Sequence, residues 1–134
     1  MRKLNPKTRK EIAQIEDDLV KKAANIAQSL WKTLKDREKR DGKVRQVRNI
    51  LEVAESTDSW KALELFIRYQ AARGEIPKDW AESAIQDLDA LQKEAREIVQ
   101  HTGDSAKAVH LELVTRVLGH AVRWHLWDVK KREG

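Results

Sequence analysis

Residues 11–34 read EIAQIEDDLVKKAANIAQSLWKTL, and this stretch decides the fold class. Its apolar residues recur at intervals of three and four, which places them on one face of an α-helix. The residues of this stripe are Ile12, Ile15, Leu19, Ala23, Ile26, Leu30 and Leu34. Because a single helix cannot cover its own apolar stripe, the pattern predicts packing against partners inside or outside the chain.

Two signals compete for the start of this first helix. Asn5 is a favourable N-cap and is followed by Pro6 at the first helical position. Thr8 with Glu11 three residues later has the pattern of a capping box. Either start gives a helix about 40 Å long that ends near Leu34.

Four further helices are predicted from the same periodicity and from cap residues. They cover about 43–54, 60–73, 77–101 and 104–131, with Gly74 and Gly103 as stops and Asp104 as the cap of the last helix. Each helix has a set of residues predicted to face inward. Helix by helix, in the same order, these are Val44, Val47, Leu51, Ala54; Trp60, Leu63, Phe66, Ile67, Gln70; Ala81, Ala84, Ile85, Leu88, Leu91, Ala95, Ile98; and Val109, Leu113, Val117, Leu118, Ala121, Leu126, Val129. The predicted fold is all-α: one small bundle of about five antiparallel helices, forming a single domain over 1–134 with a basic N-terminal arm at 1–7.

The composition narrows the class of partner. The chain has 134 residues, with 27 basic against 22 acidic side chains and a net charge of +5, which favours polyanions, nucleic acid before anionic membrane. It contains no cysteine, which excludes disulfides and thiolate metal ligands. No apolar run approaches the length of a membrane span, and no signal peptide is recognised, so we expect a cytoplasmic protein with no membrane partner.

The charges are clustered. Basic residues concentrate in 1–10, 32–48 and 116–132, whereas the fourth predicted helix is acidic. One interpretation is ordinary solvated faces with intrahelical pairs such as Asp36 with Arg40. The other is a phosphate-binding groove with Lys43, Arg45 and Arg48 along one edge, together with stacking of copies through opposite charges.

The aromatic residues allow two interpretations as well. The chain has five Trp residues, and the positions of Trp60 and Trp80 just after helix starts are consistent with a core. Trp31 lies beside the first stripe. Trp124 and Trp127 lie near Lys130, Lys131 and Arg132, where an aromatic ring can stack on a nucleobase. For each Trp we favour sealing of the bundle or of a subunit interface.

No catalytic constellation is recognised. His120 and His125 are five residues apart and do not share a helix face, whereas a zinc pair needs a spacing of four. A glycine-rich phosphate loop and a nucleophile elbow are also missing from the sequence. We therefore predict a binding protein with no catalytic residue, metal or cofactor, and keep a small ribonuclease using His120 or His125 as an alternative.

Three short segments carry a family resemblance. The stretch 44–51, VRQVRNIL, resembles the Gln-Ile-Arg segment that opens the conserved region of the Csm-type small subunit of type III CRISPR effector complexes. The stretch 66–74, FIRYQAARG, is similar to that family's Tyr-Gln-x-x-Arg motif, and 118–125, LGHAVRWH, is similar to its C-terminal helix. The resemblance covers a core segment at 43–131, about two thirds of the chain.

This resemblance implies a function. Such subunits are non-catalytic and stack head to tail beside the guide-holding subunits, with basic faces toward the crRNA and target RNA. By motif match, Arg45, Arg48 and Arg73 are the implied backbone contacts, and Lys43 and Arg68 are added from charge. The competing role of Arg45 and Arg48 is an ion pair with Glu52 or Glu55. The competing roles of Tyr69 and Gln70 are internal: Tyr69 packs in the core, and Gln70 caps the end of a neighbouring helix. We keep the Cmr-type small subunit and a helical protein-interaction module, recruiting a partner through its first helix, as alternatives.

Overall fold

The computed structural model describes residues 2–133 and the side chains of 2–131, so that Met1, Gly134 and the side chains of Arg132 and Glu133 lie outside it. The helices are α1 (Pro6–Gln14), α2 (Glu16–Thr33), α3 (Val44–Ser56), α4 (Trp60–Ala72), α5 (Lys78–Ala90), α6 (Gln92–Thr102) and α7 (Ala106–Glu133), with one 3-10 turn at Asp36–Glu38. The described residues contain no β-strand, which confirms the all-α prediction.

Five predicted segments correspond to seven helices because two segments are interrupted at a single residue. At Ile15 the backbone turns (φ −105°, ψ 9°) and its N–H bonds back to Ile12, three residues earlier. Leu91 likewise bonds back to Leu88. An i to i−3 bond tightens one turn without changing which side chains face the core, so the apolar periodicity runs through both breaks.

The first helix begins at the Asn5 signal. Asn5 Oδ1 accepts a hydrogen bond from the Thr8 backbone N–H at 2.9 Å. Thr8 is buried, and its hydroxyl donates to the carboxylate of Asp104, which also accepts the backbone N–H of Asn5 at 3.0 Å. The prediction that Asp104 caps the last helix is wrong: Ser105 Oγ accepts the N–H of Ala108, and Asp104 instead ties α1 to the turn before α7.

Helix α7 packs against α2, α3 and α6, and α5 packs against α2 and α4. Along α2 and α7 the contacts advance in the same direction, because Glu16 bonds to Arg116 and the Val20 carbonyl accepts from Trp124. An arrangement with every neighbour antiparallel is therefore not confirmed.

Most residues of the predicted stripes form the core, and the predicted inward residues of the later helices that are only half-buried are Val44, Leu51, Trp60, Phe66 and Leu126. In the first helix all are buried except Ile15 at the break, and Trp80 closes over α2 by donating its indole N–H to the Ile26 carbonyl at 3.0 Å. Full burial of one Leu or Ile side chain stabilises the fold by about 1.5–3 kcal/mol. Helices of the same chain supply this burial for the first stripe. No helix in the described part combines the length and apolarity needed to cross a bilayer.

Candidate nucleic-acid interface

Arg45 and Arg48 lie one turn apart on the solvent face of α3, and both side chains are exposed. Their exposure follows from the helical period, since Val47, Ile50 and Ala54 occupy the buried face. Among the described residues no carboxylate lies within 4.0 Å of either guanidinium, so the competing ion pairs with Glu52 and Glu55 are not formed. Both cations are available to a ligand in solution.

Arg73 lies at the C-terminal end of α4 and is also exposed. Its guanidinium carbon sits 5.3 Å from the centroid of the Tyr69 ring, a cation–π distance. Gln46 Nε2 donates to Glu75 at 3.3 Å, which brings the turn after α4 to the first turn of α3. Arg73 therefore reaches the same end of the α3–α4 hairpin as Arg45.

Tyr69 and Gln70 differ in burial, and only Gln70, which was predicted to face inward, does so. Tyr69 is 53% exposed, so the prediction that it packs in the core is wrong, whereas Gln70 is 7% exposed. The backbone carbonyl of Gln70, not its side chain, accepts the Glu75 N–H at 2.9 Å. The outward ring of Tyr69 is what Arg73 stacks on.

Lys43 and Arg68 are held by carboxylates. Lys43 Nζ lies 3.8 Å from Glu38, and its backbone has φ +57°, a left-handed conformation held by a bond from its N–H to Asp41 Oδ1 at 3.0 Å. Arg68 bonds to Glu64 and to Glu82. Contact of these two residues with nucleic acid stays a prediction, and it would have to displace carboxylates already in place.

A groove of about 560 Å³ lies beside the start of α3 and combines two of the basic patches. Arg37 and Arg40 come from the loop before α3, and Lys130 comes from the last turns of α7. Val44 forms part of the floor, and Asp41 is the acidic lining residue. These cations lie about ninety positions apart in the sequence, so no local pattern could have placed them together.

His125 fastens this loop to α7. It is 1% exposed, and its Nε2–H donates to the Gly42 carbonyl, which fixes the tautomer because a carbonyl can only accept. Its buried Nδ1 has no partner among the described residues. Burial lowers the pKa of His125, so the ring is neutral near pH 7.

The other histidines are also engaged. His101 lies 3.0 Å from Glu11, His120 Nε2 lies 2.8 Å from Glu16, and His110 Nε2 donates to the Leu88 carbonyl at 2.9 Å. In residues 2–131 no group of three or more His, Asp or Glu side chains is placed to hold a metal ion. Buried His125 could not reach an RNA substrate in this structure, which removes one of the two residues of the ribonuclease alternative.

The Trp residues divide into two groups. Trp80 is buried, and Trp31 and Trp60 pack partly buried against the core. Trp124 is 37% and Trp127 60% exposed, and together with Val20, His120 and Arg123 they line a shallow cleft. Their role stays open between base stacking and subunit contact.

No protein-family model matches this chain, and comparison with curated proteins and with solved structures found no match either.

Proposed function

We propose that this chain is a non-catalytic structural subunit that contacts an RNA backbone, in the manner of the Csm-type small subunits of type III CRISPR effector complexes that it resembles. One observation carries the RNA contact: five arginines without carboxylate partners among the described residues lie around the start of α3. These are Arg37, Arg40, Arg45, Arg48 and Arg73, and together with the neighbouring Lys130 they form what we call the basic surface.

The chemistry of the basic surface suits phosphodiesters. A guanidinium presents a planar fork of donors that matches phosphate oxygens, and unpaired arginines need not break an ion pair before binding. Because the base edges play no part in such contacts, the binding is expected to tolerate any sequence. This is the behaviour required of a subunit that lies along guides of many sequences.

The binding should depend strongly on salt. Each phosphate neutralised on a single strand contributes about −0.7 to the slope of log affinity against log salt. About four contacts then predict roughly fifty-fold weaker binding at 200 mM than at 50 mM salt. Fluorescence anisotropy of a labelled single-stranded RNA measures this slope.

The double variant Arg45→Glu with Arg48→Glu tests the surface. We expect at least about tenfold weaker RNA binding at 50 mM salt and a slope reduced by about 1.4, since two contacts are lost. The matched control, Lys21→Glu with Lys93→Glu, makes the same change in net charge at exposed lysines of α2 and α6. Equal loss in both double variants would reduce the effect to net charge and overturn the assigned surface.

The CRISPR assignment is tested separately. RNA recovered with the tagged chain from its native cells should be enriched in guide RNAs that carry CRISPR repeat sequence. Enrichment of unrelated RNA would leave the RNA contact standing and reject the CRISPR role.

The alternative of a partner-recruiting first helix gains no support, because the apolar stripe of that helix is covered by α5, α6 and α7. A protein-interaction module would have to use another surface, and it predicts a stable complex without affinity for nucleic acid. The same anisotropy experiment distinguishes the two functions.

A further inference from the structure

A second cavity, of about 430 Å³, lies between the start of α4, the middle of α6 and the start of α7. Its wall contains the rings of Trp60 and His110, whose centroids are 5.2 Å apart at an interplanar angle of 77°. None of the residues of the basic surface lines it. The proposed RNA contact therefore leaves this cavity without a role.

The rim of the cavity carries an excess of cations. Arg96 from α6 and Lys107 from α7 line it with exposed side chains, and among the described residues neither has a carboxylate within 4.0 Å. Lys61 also lines the cavity but lies 3.6 Å from Glu64. Asp58 is the acidic lining residue. Two unpaired cations from different helices thus face one acid.

The aromatic wall is held in a fixed orientation. The Trp60 indole N–H donates to Asp89 Oδ1 at 3.0 Å, and Gln92 Nε2 donates to the same oxygen at 2.6 Å. The bond from His110 to Leu88 anchors the second ring, and burial together with the nearby Arg96 charge lowers the pKa of His110. The His110 ring is therefore neutral near pH 7, and the orientation of both rings is set before a ligand arrives.

We propose that this cavity binds a nucleoside phosphate, with the phosphate between Arg96 and Lys107 and the base against Trp60. The volume lies in the range of small-molecule sites, and an aromatic face beside unpaired cations matches a ligand with one planar ring and one anionic group. The same chemistry is offered by a free mononucleotide and by the phosphorylated end of a nucleic-acid strand.

The indole N–H signal of Trp60, identified in nitrogen-correlated NMR spectra with Trp60→Phe, reports on binding directly. Titration with UMP or AMP should shift this signal to saturation in the millimolar range or below. Uridine and inorganic phosphate should each bind at least about tenfold more weakly, because each offers only half of the contacts. Equal affinity for inorganic phosphate and UMP, or no saturation with either nucleotide, would overturn the proposal.

Charge removal tests the phosphate contacts. Arg96→Gln and Lys107→Gln should each weaken UMP binding about five- to tenfold, whereas Lys93→Gln, on α6 but outside the cavity, should leave it unchanged. If Lys93→Gln weakened binding as much as Arg96→Gln, the phosphate site would be rejected.

Two further comparisons separate the possible sources and the two proposals. If a 5′-phosphorylated tetranucleotide binds as tightly as UMP and its 5′-hydroxyl counterpart does not, the ligand is a strand end; if UMP alone binds, the ligand is a free nucleotide. Arg45→Glu with Arg48→Glu should not alter UMP affinity, and Arg96→Gln should alter the affinity for an RNA with a 5′-hydroxyl end less than about twofold. Failure of one proposal is thus distinguishable from failure of the other.

Discussion

The arginines of the motif segments are chemically identical, but they differ in the groups that surround them. Arg45 and Arg48 project into solvent without a carboxylate partner among the described residues, whereas Arg68 lies between Glu64 and Glu82. Binding a phosphate at Arg68 requires giving up two ion pairs, and at Arg45 it requires only the loss of hydration and counterions. Whether an arginine already has a carboxylate partner therefore decides how readily it can contact a phosphate.

His125→Gln tests whether the buried ring of His125 makes the stability of the fold depend on pH. Burial lowers the pKa of His125 below its ordinary value of 6.5, so over the interval between these two pKa values the unfolded chain binds a proton that the folded chain does not. The contribution of the neutral His125 ring to the free energy of unfolding is therefore complete above about pH 6.5 and is lost as the pH falls toward the folded pKa. Glutamine retains an N–H donor but does not titrate.

We expect the free energy of urea unfolding to fall from about pH 7.5 to about pH 5.5 less steeply in His125→Gln than in the wild-type chain. Some slope should remain, because burial also lowers the pKa of His110. Parallel curves for variant and wild type would show that His125 does not carry the pH dependence.

Among the structural elements, the loop at 35–43 contributes most to the candidate site, although it contains only one 3-10 turn. Gly42 has φ +65°, and a Cβ added there would collide with the Val129 side chain of α7. Close approach of the loop backbone to α7 is what places Arg37 and Arg40 beside Lys130. A residue larger than glycine would push these cations apart.

Gly42→Ala and Gly74→Ala form a matched pair for this contact. Both glycines have positive φ, so a left-handed backbone costs both alanine variants about 1–2 kcal/mol. Only Gly42→Ala adds a steric conflict, since the space around Gly74 is open, and we expect a further loss of about 1–3 kcal/mol in the free energy of urea unfolding. Equal losses would show that the loop packs loosely on α7.

Across the molecule the charge is polarised. The basic surface lies around the start of α3, whereas α5 holds four acidic residues against one lysine, and α6 holds two acidic and two basic residues. Part of this acidity is neutralised internally, since Glu94 lies 3.8 Å from Lys22 and Glu82 bonds to Arg68. The exposed carboxylate of Glu97 has no cation within 4.0 Å among the described residues. It is a candidate contact for a second copy.

If copies stack through opposite charges, sedimentation velocity should show a larger particle at about 25 mM than at about 300 mM salt, because screening shortens the reach of the charges. Glu97→Lys should weaken this association, and Glu55→Lys, an equal charge change on α3, should not. A sedimentation coefficient independent of salt would contradict stacking through charge.

Most of the helical architecture could be predicted. The apolar residues of the first stripe other than Ile15 are buried as expected, and Asn5 caps α1 by accepting the Thr8 N–H. The breaks at Ile15 and Leu91 could not, because one tightened turn leaves the apolar spacing intact. For the candidate site, the exposure of Arg45 and Arg48 followed from periodicity, but the exposure of Tyr69 did not.

The amino-acid order determines helix positions, buried stripes and the overall basic charge, because these depend on residues within a few positions of one another. Folding in three dimensions determines which distant groups meet. It neutralises Arg68 with Glu82, joins Gly42 to His125, unites Arg40 with Lys130 and encloses the cavity beside Trp60. Those contacts depend on how the helices cross and pack. The resulting distances between opposite charges decide which charged groups remain free to bind a ligand.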